Sequence, residues 1–147
     1  MELPDEITNK YCFHFTHKDN LESIIQNGMR STTNKIKSGI EHTNIANEGI
    51  QNRRSTMRVS CGPKGVVHDY VPFYLCSVNP MMLSIINSKN VDQQDLIILC
   101  LSLRDAFNNN AIFTNASANT KIPPNFYNNP KDLTELDWAA INKRKWG

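Results

Sequence analysis

The chain has 147 residues, 39% hydrophobic and 20% charged, with a formal net charge of +2 at pH 7. That length buries a core without disulfide or metal staples and leaves room for one domain, and so small a net charge does not by itself argue a nucleic-acid partner. The longest apolar run, 96–103, is too short to span a bilayer, and segment 1–6 has neither the basic nor the apolar region of a signal peptide, so neither is expected.

The first patterned stretch is 11–29. Tyr11, Phe13 and Phe15 alternate with Cys12, His14 and Thr16, which predicts a half-buried strand with His14 and Thr16 on its polar face. Asp19 followed by Glu22 resembles a capping box, Leu21, Ile24 and Ile25 fall at helical spacing, and Gly28 sits where a helix stops. By itself a His and a Thr two apart on one strand are more often buried polar groups than ligands. His14 and His17 form an H-x-x-H, but three positions apart on a strand they face opposite sides, so no metal site is expected.

Residues 30–50 read as a long polar loop with at most one short helix, and loops of that length are usually functional or disordered. A helix is expected over 45–58, carrying Arg53, Arg54 and Arg58, which read most simply as a solvated basic face. A turn at 62–65 leads to the strand-like run 66–76, interrupted by Pro72, which has no N–H for a ladder, so two short strands, an edge strand or a strand after a bend are expected. Asn79 and Pro80 are a cap and a first helical residue, and Met81, Met82, Leu83, Ile85 and Ile86 make the helix that follows apolar nearly all round, hence core.

The continuous apolar run 96–103 predicts a central strand. A turn follows at 108–110, then a short strand over 111–114. Segment 121–129 is irregular, and Phe126 and Tyr127 beside Lys121 and Lys131 suit either base stacking or simple turn packing. Leu133, Leu136, Ala140 and Ile141 predict a helix over 132–143 with a basic end at Lys143–Lys145. Cys12, Cys61, Cys76 and Cys100 show no C-x-x-C spacing, and three of them lie in apolar strand-like runs; free thiols in a reducing cytoplasm suit them.

Taken together, 13–28, Ile50–Arg54, Gly65–Met81 with its His-Asp-Tyr-Val-Pro-Phe-Tyr core, Phe113–Asn115 and Leu136–Trp138 resemble the DarT family, in the same order and at similar spacing across nearly the whole chain. The resemblance implies an α+β ADP-ribosyltransferase fold, a mixed or split sheet flanked by short helices. It also implies a cytoplasmic toxin that takes NAD as substrate without a metal and attaches ADP-ribose to a base in single-stranded DNA, thymine favoured over guanine. A DarG macrodomain antitoxin would remove the group. By position, His14, Phe15 and Thr16 would hold the nicotinamide end of NAD, Ser23 and Ser31 would touch the cofactor, and Arg54 matches the family's active-site arginine. Lys121, Phe126, Tyr127 and Lys131 would meet DNA.

The departing nicotinamide leaves an oxocarbenium-like ribose that a carboxylate would stabilise. The resemblance places that glutamate in an Ala-Glu-hydrophobic segment beyond Gly147, so 1–147 is expected to be one domain lacking its C-terminal part. Glu135 does not match it by position. Arg54 is more credible as a phosphate clamp than as a base, because a guanidinium with a pKa above about 12 rarely accepts a proton. The competing readings are an ADP-ribosyltransferase acting on RNA or protein, with acceptor choice in 121–131, and a non-catalytic module that binds NAD or single strands. In either case His42, in the polar loop, is expected to matter less to NAD than His14.

Overall fold

The structure, a computed structural model, describes residues 2–43, 45, 48–88, 91–118 and 120–142. The basic end expected at Lys143–Lys145 lies outside them. Strand β1 (Tyr11–His17) pairs antiparallel along its whole length with β2 (Leu96–Ser102), from Tyr11 opposite Ser102 to His17 opposite Leu96. On the other edge of β1, Phe13 and Tyr74 exchange two backbone hydrogen bonds of 2.7 Å.

That bridge is most of what becomes of the strand expected over 66–76. Val67–Asp69 forms a 3-10 turn instead, and Val66 and Tyr74 each make only an isolated bridge, with Arg58 and Phe13. Pro72 cannot donate to a ladder, and its carbonyl is taken by a side chain described below. Among the described residues β1 is therefore flanked on both sides, whereas β2, expected at mid-sheet, has β1 as its only strand neighbour. Its residues are half-buried or exposed, Ile98 at 41%. An apolar run announces burial but not which strands pair around it.

Leu103, expected to close that strand, opens a helix the sequence pattern did not show, α5 (Leu103–Asn108), because the Ser102 hydroxyl accepts from Asp105 N–H as an N-cap. Leu103, Ala106 and Phe107 on α5 pack with Leu3, Ile7, Cys12, Leu133 and Leu136 into the core. The two-residue strands β3 (Phe113–Thr114) and β4 (Phe126–Tyr127) pair beside it, so part of the expected irregular segment is strand. Both described pairings of named strands are antiparallel and the helices are separate from them in the chain, in keeping with the expected α+β class.

The helix expected over 132–143 is broken. Pro130–Glu135 is a 3-10 turn that buries Leu133 completely, and a new helix, α6 (Trp138–Ile141), starts where Asp137 Oδ1 accepts from Ala140 N–H. Trp138 Nε1 donates to Leu133 C=O at 2.9 Å and joins the two pieces. Asp137 is the reason for the break: as a cap it competes with continuing the helix.

Near the N-terminus, α1 (Leu21–Asn27) ends at Gly28, which adopts φ 77°, as its position predicted. The Asp19 capping box does not form. Lys18–Asn20 is a 3-10 turn and α1 begins without a side-chain cap, the Asn20 amide being used elsewhere. Next come α2 (Thr32–Ser38), the one short helix expected in the long loop, and α3 (Glu48–Thr56). Helix α4 (Pro80–Asn87) is capped by Asn79 as expected, but it is amphipathic: Met82 and Ile85 are buried and Leu83 is exposed. All four cysteines are free thiols, and no described helix is long and apolar enough to cross a membrane.

Candidate functional site

The polar face of β1 opens into a cleft with about 1030 Å³ of empty space, its mouth included. Helices α1, α2 and α3, Ile40, His42, Thr43 and Ile45 of the loop, and Val71, Pro72 and Tyr74 wall it, and Met81 and Ile85 of α4 reach its lining. Those two, expected to be plain core, thus serve the cleft as well. Ile85 does both, since it is also buried at 3% exposure.

His14 sits on the floor of the cleft with Nδ1 2.7 Å from the Pro72 carbonyl oxygen. A carbonyl can only accept, so Nδ1 carries the hydrogen and Nε2 of the neutral ring presents a lone pair. Burial pushes the His14 pKa down; the Pro72 bond opposes this and Lys35 adds to it. The ring is therefore neutral near pH 7.

Thr16 is buried two residues along on the same face, and Phe15 stacks on Tyr74, ring centroids 5.3 Å apart and planes 22° from parallel. Ser23 lines the cleft from α1, its hydroxyl accepting from Asn27 Nδ2 at 3.3 Å. Ser31 does not line it. Its hydroxyl accepts from Asn34 N–H at 3.1 Å and caps α2, which accounts for its burial.

The basic face expected on α3 divides. Arg53 and Arg58 are exposed, whereas Arg54 turns inward and retains 8% exposure. Its guanidinium donates to the Tyr74 hydroxyl at 3.1 Å, and its buried Nε has no hydrogen-bond partner among the described residues. No described carboxylate pairs with it. A buried cation left in that state awaits an anion. The cleft as a whole agrees: Arg30, Lys35 and Arg54 line it, and no described lining residue is Asp or Glu.

Several lining residues escaped the sequence pattern. Tyr74 holds Arg54 and Phe15 together. Gln51, one turn before Arg54, has Oε1 2.6 Å from His68 Nε2. His42, expected to be remote, reaches the cleft from the polar loop, where burial and Lys35 lower its pKa. The available hint was the length of that loop. Lys121, Phe126, Tyr127 and Lys131 are not brought to the cleft lining. Tyr127 stacks on Phe113 with centroids 5.3 Å apart, which fits the packing alternative, and Lys121 and Lys131 are exposed.

The histidines make the site sensitive to acid. Burial lowers the pKa of His14, His42 and His68, so the unfolded chain takes up protons first as pH falls. Stability is then fully present above the unfolded histidine pKa of about 6.5 and is lost below it. Melting temperatures should fall between about pH 7.5 and pH 5, and His14→Gln should flatten that slope; an unchanged slope would show that His14 is not desolvated.

A cationic cleft with a neutral imidazole acceptor, a buried hydroxyl and an aromatic pair suits an elongated ligand with anionic groups and a ring. Comparison with known proteins points the same way. The family model described as "DarT: ssDNA thymidine ADP-ribosyltransferase, DarT" matches residues 13–147. A DNA ADP-ribosyl transferase of Thermus sp. (strain 2.9) is 33% identical over 139 residues, 91% of this chain and 65% of the relative. The structure of Thermus sp. 2.9 DarT in complex with ADP-ribosylated ssDNA matches with a TM-score of 0.85 at 30% identity, over 99% of this chain and 70% of that one. The same Thermus protein in complex with NAD+ matches with a TM-score of 0.76 at 26% identity, over 99% of this chain and 69% of that one. The chain thus spans somewhat less than two thirds of the length of that curated relative, and its fold is the ADP-ribosyltransferase fold of these structures.

Proposed function

The chain belongs to the DarT family, and on that premise we propose that its cleft binds NAD+ and serves the transfer of ADP-ribose to a base in single-stranded DNA, thymine favoured over guanine. The observation that carries this reading is Arg54: a buried guanidinium with no described carboxylate paired to it, in a cleft free of described carboxylates that the neutral His14 also lines. The NAD+ pyrophosphate supplies the missing negative charge. His14, Phe15 and Thr16 then lie where the nicotinamide end is held.

In the reaction the bond between the ribose C1′ and the nicotinamide nitrogen breaks and nicotinamide leaves. A nitrogen of the acceptor base bonds to C1′ and loses its proton. Single-stranded substrate suits this chemistry, because stacking and pairing hide the atom to be modified. The biological setting that fits is a cytoplasmic toxin whose modification a DarG-type macrodomain antitoxin removes. A second reading, an NAD+-binding module without catalysis, is favoured by the absence of a carboxylate from the described lining.

His14→Ala should weaken NAD+ binding about tenfold or more in a calorimetric titration, from the loss of one buried hydrogen-bonding group. The proper comparison is His17→Ala rather than His42→Ala. His17 is on the opposite face of β1, where its ring meets Asp19 and Asp95, whereas His42 reaches the cleft. Equal affinities for the His14 and His17 variants would remove the pocket assignment.

A further inference from the structure

Helix α2 stops at Gly39 in the left-handed conformation, φ 67°, and the chain turns back so that Ile40, His42 and Ile45 form one side of the cleft. No described residue of this wall lies in regular secondary structure. Ile40 N–H donates to Lys35 C=O at 3.0 Å, and Thr43, further along, is held by Asn20. Its Oδ1 accepts from Thr43 N–H at 2.7 Å and its Nδ2 donates to Thr43 C=O at 2.9 Å, a reciprocal pair like that between neighbouring strands. The same Nδ2 group donates to Thr16 Oγ1 at 3.0 Å. The amide orientation follows from its partners, since flipping it would set donor against donor at Thr43 N–H.

Asn20 is 7% exposed, and all of its amide's hydrogens and its oxygen are engaged. This explains why it does not cap α1 although it sits at the cap position. Accepting from Asn20 also constrains the Thr16 hydroxyl: with a lone pair occupied there, its own hydrogen must point elsewhere, and Thr16 lines the cleft.

We propose that Asn20 is a positioning residue of the NAD+ site, setting at once the wall formed by Ile40, His42, Thr43 and Ile45 and the direction of the Thr16 hydroxyl. It acts through those groups rather than on the ligand itself. This rests on the NAD+ reading for its ligand and on geometry alone for the contact, and the two can be tested apart.

The experiment pairs amide hydrogen exchange with NAD+ titration on the full 147-residue chain. In the wild type, Thr43 N–H should exchange on the order of tenfold or more slowly than the amides of Glu41 and His42, because one buried hydrogen bond is worth about that factor. Asn20→Ala should abolish the protection at Thr43 while β1 and β2 amides stay protected, and should lower NAD+ affinity about tenfold or more. Thr16→Val, which removes only the hydroxyl arm, should keep Thr43 protected and still weaken NAD+. If wild-type Thr43 exchanges as fast as its neighbours, the contact does not exist and the proposal falls, whether or not the Asn20 variant folds. If Asn20→Ala frees Thr43 with NAD+ affinity unchanged, the positioning role is wrong. A wild-type chain that keeps Thr43 protected but binds no NAD+ overturns the ligand assignment and supports the contact alone.

Discussion

Arg54→Ala is expected to cut NAD+ affinity roughly tenfold to a hundredfold while leaving thermal stability unchanged or higher. The two signs come from one observation. In the free protein the guanidinium is buried, donates to the Tyr74 hydroxyl, and has neither an ion pair nor a partner for Nε among the described residues. Hydrogen bonds to a charged group are worth about 1.5–3 kcal/mol, which sets the affinity loss once the ligand's phosphates are the intended partners. A buried cation without its anion costs stability, so its removal relieves the free protein. Arg54→Lys should recover only part of the affinity, because an ammonium keeps the charge but loses the planar fork. Calorimetry and melting curves on the three proteins check this. An alanine variant that binds NAD+ like the wild type, or that is strongly destabilised, would make Arg54 a structural residue.

The second large effect concerns the carboxylate. Loss of nicotinamide develops positive charge on the ribose, and the cleft's described lining offers cations and neutral groups but no Asp or Glu. The 147-residue chain should therefore bind NAD+ yet transfer ADP-ribose to a thymine-containing single strand about a hundredfold or more slowly than a longer chain carrying an Ala-Glu-hydrophobic segment after Gly147. Removing one such electrostatic stabiliser typically costs about that much. In the longer chain, Arg54→Ala should abolish transfer again. The measurement is the mass of the modified oligonucleotide. Brisk modification by the 147-residue chain, its mass verified, would mean that another carboxylate acts and that the positional mapping of the site is wrong. Modification of RNA or protein in preference to DNA would select the alternative acceptors.

The site was legible in the sequence where local periodicity carries it. Alternation over 11–16 places His14 and Thr16 on one face of β1 and they share the cleft, but burial does not follow the alternation: Cys12 on that face is in the core and Tyr11 on the other is 53% exposed. Asn79 with Pro80 starts α4, and Gly28 ends α1, because capping and positive φ are properties of a few consecutive residues. Arg54 was legible only through the family resemblance. Helix α3 has Ile50 as its one large apolar residue, so nothing in its pattern distinguishes the inward Arg54 from the exposed Arg53.

What the tertiary structure alone decided are the matters that depend on groups distant in the chain. The run 66–76, expected to be interrupted at Pro72, keeps only isolated bridges at Val66 and Tyr74, and the Pro72 carbonyl serves His14, 58 residues away. The helix expected at 132–143 broke because Asp137 caps a new turn and Leu133 found full burial against α5. Tyr74, Gln51 and Asn20 have partners 17 to 23 residues away, a separation at which no periodicity survives, and His42 reaches the lining from the polar loop. Periodicity reports which face of an element is apolar; which polar groups meet across the cleft is settled by how those faces pack. The sequence by itself therefore determined β1, the Asn79 cap and the Gly28 stop, and packing decided that Arg54 would be buried with no described carboxylate paired to it.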